Sequence, residues 1–146
     1  VNAFIVELEK SVVVVDGTLA ISSSTALRQK ADALGKPIEA VLLTHGHPDH
    51  YVGLSSFQDV PRFCSKGALE FAYREDVAKA PVATMLFGDD FPKVRTFPNE
   101  IVNDGQSLTF GGLQFTFKDL GPGESDSDGM WLVKDGGDTH AFVGDA

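Results

Sequence analysis

The chain opens on two apolar runs, Ala3 to Glu9 and Ser11 to Asp16, rich in Val, Ile and Phe. They predict two strands, with Glu9 and Lys10 at the turn between them. Val12 to Val15 leaves no polar position at all, so the second strand is expected to be buried on both faces. From Ser22 to Leu34 the period changes. Leu27, Ala31 and Leu34 share one helical face, serines stand at the start as N-caps, and Gly35 with Pro37 ends the helix. Ile38 to Leu43 is a third apolar strand. Asp49 to Phe57 predicts a short helix with Pro48 suited to its first turn. "RFCS" predicts a short strand, and Lys66 to Lys79 a longer helix.

Ala80 to Pro98 breaks the pattern. Its prolines, aromatics and aspartates predict an irregular connection, either carrying substrate contacts or covering the core. Strand patterns then return at Gln106–Phe110, Leu113–Lys118, Met130–Lys134 and His140–Val143. Gly111-Gly112 and Gly136-Gly137 mark hairpin turns. No repeat or low-complexity linker divides the chain, so residues 1–146 are expected to form one domain.

Composition narrows the partners. The formal charge of -9 disfavours phosphate backbones and anionic membranes, and the few Lys and Arg are scattered. Neither nucleic acid nor membrane is therefore expected as a partner. Cys64 is the only cysteine, which rules out a disulfide within the chain and fits a reducing, cytoplasmic setting. As a small apolar group near a strand end it reads as core, as does Trp131. The last residues, "AFVGDA", read as a strand entering a turn, so the chain is expected to be part of something longer.

The chemistry concentrates in "THGHPDH", residues 44–50. Residues i and i+2 at a strand end share a side, so His45 and His47 can aim at one point. Asp49 and His50 follow at the start of the next helix. Imidazole and carboxylate suit zinc, iron or manganese. The bland alternatives are that Asp49 only favours the positive end of the helix and that His47 only precedes Pro48.

His45-Gly46-His47-Pro48-Asp49-His50 resembles the HxHxDH signature of the metallo-β-lactamase-fold hydrolases. "VVVVDG", "IEAVLLTHGHPDH", "DLGPGES" and "AFVGDA" are similar to further family segments, from about residue 3 to the last residue. The resemblance implies an α/β (α+β) fold, an αββα sandwich of which these residues cover the first half and the start of the second. It implies two divalent metal ions, zinc first, with iron or manganese as alternatives. His45 and His47 would hold one ion together with residue 124. Asp49 and His50 would hold the other, and Asp145 would bridge both. Asp49 would be catalytic, orienting a metal-bound hydroxide and helping to move a proton.

Two departures stand out. Glu124 occupies the place of a family histidine, and its extra negative charge hardens the ligand set toward iron or manganese. Asp126 and Asp128 are alternatives close by. No histidine follows Asp145, and His140, before it, reads as structural or solvated. Half a sandwich leaves an apolar sheet face open, which predicts self-association. The implied activity is metal-dependent hydrolysis of a small-molecule ester, lactone, thioester or amide. An iron-dependent redox enzyme of the same fold, or a metal-binding module without catalysis, are the competing readings.

Overall fold

The four valines of residues 12–15 decide the layering. The structure is a computed structural model and describes residues 2–146. Strand β1 (Phe4–Glu7) pairs antiparallel with β2 (Val12–Val15), and β2 pairs parallel with β3 (Ile38–Leu42). β4 (Arg62–Cys64) and β5 (Glu100–Ile101) extend the sheet in parallel, giving five strands in sequence order. All four valines are fully buried. Because side chains alternate across a strand, Val12 and Val14 join the core under the helices, while Val13 and Val15 join the core between two sheets.

The second sheet is an antiparallel run of four strands in sequence order: β6 (Ser107–Phe110), β7 (Leu113–Gly121), β8 (Asp128–Asp135) and β9 (Asp138–Phe142). Both expected glycine hairpins form. β7 runs past Lys118, and β8 starts ahead of Met130, so the turn holding Glu124 is shorter than the sequence pattern suggests. Phe115, Phe117, Trp131 and Val133 face the first sheet. Gln114, Thr116 and Lys118, by the same alternation, face outward beside half-buried Met130 and Leu132. Trp131 also donates its indole N–H to the Leu43 carbonyl at 2.9 Å, tying β8 to the end of β3.

The helices cover the other face of the first sheet. α1 spans Ile21–Asp32. Its N-cap is Ala20, which offers no side-chain acceptor, so the expected serine cap is absent. A distant carboxylate replaces it: Asp90 accepts from the Ser22 amide and hydroxyl, both at 2.7 Å. α2 (Pro48–Tyr51) carries Pro48 in its first turn and continues as a 3-10 helix over Val52–Phe57. α3 runs from Lys66 to Phe87 with Ser65 as its N-cap. This corrects the irregular connection expected from residue 80, because the helix passes straight through Pro81. Ala80 and Ala83 pack against the helix-side core, and Val77, whose carbonyl lacks the N–H that Pro81 cannot donate, is exposed to solvent. Residues 91–99 are irregular as expected, and β5 was not foreseen. Among the described residues, no helix is long and apolar enough to cross a membrane.

Replacing Trp131 by Phe leaves the buried Leu43 carbonyl without its partner. The expected cost is about 1–3 kcal/mol, read as a lower midpoint in urea with an unchanged slope.

Candidate metal centre

The site lies where strands of both sheets end. β2 and β3 pair in parallel, so they finish side by side, and their last residues meet. Asp16 follows β2 with a positive φ of 57°, an unusual conformation for a residue other than glycine. That turn swings its fully buried carboxylate across the end of β3. There it accepts from the Thr44 amide and the Thr44 hydroxyl, both at 2.8 Å.

This contact fixes the state of the first histidine. The Thr44 hydroxyl has one proton, and it goes to Asp16. Toward His45 Nδ1, 3.0 Å away, Thr44 Oγ1 is therefore left as an acceptor. His45 then carries its proton on Nδ1 and presents a bare lone pair at Nε2. Burial, followed by the charges of His50 and His47, lowers the His45 pKa and keeps the ring neutral. His45 Nε2 is buried and has no hydrogen-bond partner.

The other groups converge on that lone pair. The rings of His45 and His47 are 5.0 Å apart, and those of His45 and His50 4.1 Å. Glu124 Oε2 lies 2.6 Å from His47 Nδ1 and 3.5 Å from His45 Nε2. His50 Nε2 lies 3.3 Å from Asp145 Oδ2 and 3.9 Å from Asp49 Oδ2. Two sets have all their ligand atoms within 4.8 Å of one another: His45, His47 and Glu124, and His45, His50 and Asp145. Asp49 stands beside the second set rather than inside it.

Local packing explains the loop's sequence. A Cβ on Gly46 would lie 2.3 Å from the Ala68 carbonyl oxygen, so only glycine lets the loop pass the start of α3. A Cβ on Gly144 would lie 2.4 Å from Thr44 Oγ1, and Gly144 also has a φ of +63°. Both conditions bring Asp145 up against the histidines. Phe71 of α3 stands edge-on to the His47 ring at 5.0 Å. Tyr51, the buried last residue of α2, donates its hydroxyl to Asp76 at 3.1 Å, and Arg95 donates to the same oxygen at 2.9 Å.

The turn carrying Glu124 is built by Asp128. Its buried carboxylate accepts from the Glu124 amide at 2.6 Å and the Ser125 amide at 3.0 Å. Asp126 pairs with Arg74 on α3. Neither aspartate joins the two ligand sets. His140 is exposed on β9, away from them. Cys64 is fully buried, which pushes its thiol pKa up to about 12.

Asp16 and Thr44 both lie inside the sequence motifs, yet the sequence alone gives neither a role. The available signal was the acidic residue closing a fully apolar strand. His50 shows the effect. Burial works to lower its pKa, yet the Asp16 carboxylate 3.1 Å from Nδ1, with Asp49 and Asp145, raises it. The geometry defines a class: a two-sheet sandwich with imidazoles and carboxylates gathered for a cation at one end of both sheets.

Comparison with known proteins gives that class its family. The sequence profile of the metallo-beta-lactamase superfamily matches residues 1–146, and the chain belongs to that family. It is 28% identical over 120 residues to the uncharacterised protein YobT of Bacillus subtilis (strain 168), covering 74% of this chain and 48% of YobT. A metallo-beta-lactamase of Cronobacter sakazakii with an HARLDQ motif aligns with a TM-score of 0.72 at 22% identity, over 96% of this chain and 56% of that one. BJP-1, a subclass B3 metallo-beta-lactamase of Bradyrhizobium japonicum, aligns at a TM-score of 0.67 and 17% identity, over 95% and 53%. At these identities the structures speak to the fold. The chain spans about half the length of the relatives it matches.

Asp16→Asn keeps the size of the group but loses an acceptor and the charge. Apparent affinity for divalent metal is expected to fall about 10- to 100-fold, measured by competition with a chromophoric chelator. The Cys64 thiol should stay unreactive toward a thiol reagent at pH 8 until urea unfolds the chain.

Proposed function

We infer that this chain supplies the cation-binding, water-activating part of a metal-dependent hydrolase for a small ester, lactone, thioester or amide. One observation carries the reading: His45 Nε2 is buried, deprotonated by its Thr44 contact and unpartnered, with a carboxylate and a second imidazole beside it. A buried acceptor without a partner costs free energy, and a cation removes that cost.

His45, His47 and Glu124 would hold one ion. His50 and Asp145, with Asp49 at the rim beside them, would hold the other. When bound, such ions acidify water and polarise a carbonyl oxygen. The residues divide the remaining work by depth. The imidazoles form a dry floor, with His50 0% and His45 3% exposed at the side chain. The carboxylates form a wetter rim, with Asp49 38% and Glu124 45% exposed. From that rim Asp49 can accept the proton of an attacking water and release it to solvent. Zinc fits a donor set of two histidines and one glutamate. The added carboxylate of Glu124 also suits iron or manganese, and this favours the redox enzyme as the second reading. Native protein containing zinc alone would argue against that reading. Metal held tightly with no turnover would favour the non-catalytic module.

The acidic rim and the charge of -9 point to small neutral substrates rather than nucleic acid. The buried, reduced Cys64 accords with a cytoplasmic setting. A chain of these 146 residues is expected to self-associate, and a stable monomer in sedimentation would count against that.

The decisive experiment uses the full natural protein and a panel of generic esters and lactones. Turnover should vanish with chelator and return with added metal. Turnover indifferent to metal removal would refute the mechanism. Asp49→Asn should lower kcat by about 10²- to 10⁴-fold while the metal content measured by elemental analysis changes far less.

A further inference from the structure

The last turns of α3 carry no charge from Ala80 to Phe87, yet they are not covered. Val82 is 53% exposed and Leu86 72%. With Ala83 and Phe87 they face Leu19 and Pro48 across a groove of about 320 Å³. We propose that this groove takes the alkyl or aryl arm of the substrate whose scissile group sits at the histidine cluster. The proposal rests on the hydrolase reading above and names its substrate class: esters, lactones or amides with an extended apolar acyl group.

Continuity with the site is the first argument. Pro48 lines the groove and lies between His47 and Asp49 in the chain. α3 runs from one place to the other. Its Phe71 touches the His47 ring, and Val82, on the groove, lies roughly 16 Å further along the helix axis. An arm entering beside Pro48 is thus led away from the cluster along an apolar wall.

The chemistry of the lining is the second argument. Apart from Lys79, every side chain lining the groove is apolar, and Lys79 is paired with Glu75. A peptide strand needs backbone donors and acceptors, and an anion needs free cations. The groove offers an alkyl chain what it requires, which is apolar surface alone. Its volume matches a small molecule rather than a helix. A protein partner would instead engage Val77 and Met85, which are 82% and 77% exposed and do not line the groove.

The test uses the full-length, metal-loaded protein with p-nitrophenyl esters from acetate to palmitate. Binding of N-phenyl-1-naphthylamine, a neutral apolar fluorophore, is measured on the same protein with and without chelator. Specificity, kcat/KM, should climb with chain length by up to about fourfold per methylene until the groove is filled. Leu86→Asn and Val82→Asn should bring the palmitate-to-acetate ratio close to one and weaken the fluorophore at least tenfold. Both side chains are more than half exposed, so the variants should fold, which circular dichroism checks. Val94→Asn, equally exposed but outside the groove, should keep the wild-type ratio. A flat profile in an active enzyme overturns the groove and leaves the hydrolase standing. Fluorophore binding that Leu86→Asn abolishes, with no ester hydrolysed, leaves the groove an apolar binding site but overturns the hydrolase and with it the substrate-arm assignment. A dimer made monomeric by Val82→Asn with an unchanged ester ratio assigns the surface to a second copy and overturns the proposal.

Discussion

The contact between Asp16 and Thr44 is the joint on which the site turns. It depends on parallel pairing, because only parallel neighbours bring β2 and β3 to an end at the same level. Asp16 must then leave β2 in a left-handed conformation that few residues accept without cost. In return, one carboxylate closes the strand end, orders the Thr44 hydroxyl and stands beside His50. The hydroxyl passes the order on to His45. A buried charge has to be satisfied by polar neighbours, and here those neighbours are the residues that present imidazole lone pairs.

The layered fold was largely legible because burial writes a period into the sequence. Four valines in a row have no polar face, and the structure splits them between two cores. Strands β6 and β7 alternate, and glycine pairs mark the hairpins at either end of the second sheet's run. What escaped detection was structure decided by tertiary contact. Asp90 caps α1 from 68 residues away, beyond the reach of any local capping rule. α3 continues through Pro81 because Ala80 and Ala83 pack against the core and the opposite side is wet. β5 has two residues, too few to carry a period. In the site, residue types and spacing brought His45, His47 and His50 to attention, but not the hydrogen bonds that choose their tautomers. Asp128 shows the limit from the other direction. Its place beside Glu124 suggests a ligand, but its oxygens accept from the backbone of the turn that presents Glu124.

The groups facing the cluster come from both sheets. His45, His47 and His50 lie beyond the end of β3, Glu124 lies between β7 and β8, and Asp145 follows β9. Without a cation, Asp49, Glu124 and Asp145 bring negative charge toward one small volume, and protonation of the imidazoles relieves it. Burial opposes that relief at His45 and the carboxylates favour it at His50, so the two rings are driven apart in their titration. A bound cation would relieve both conflicts: His45 Nε2 would give it a lone pair, His50 would hold it in place of a proton, and Glu124 and Asp145 from the second sheet would face it. Binding free energy would then be shared with the packing of Phe117 and Trp131 against Leu42, the apolar contact nearest that end of the sandwich. Metal affinity and the docking of the two sheets would therefore form one linked equilibrium, in which a loss on either side is felt on the other.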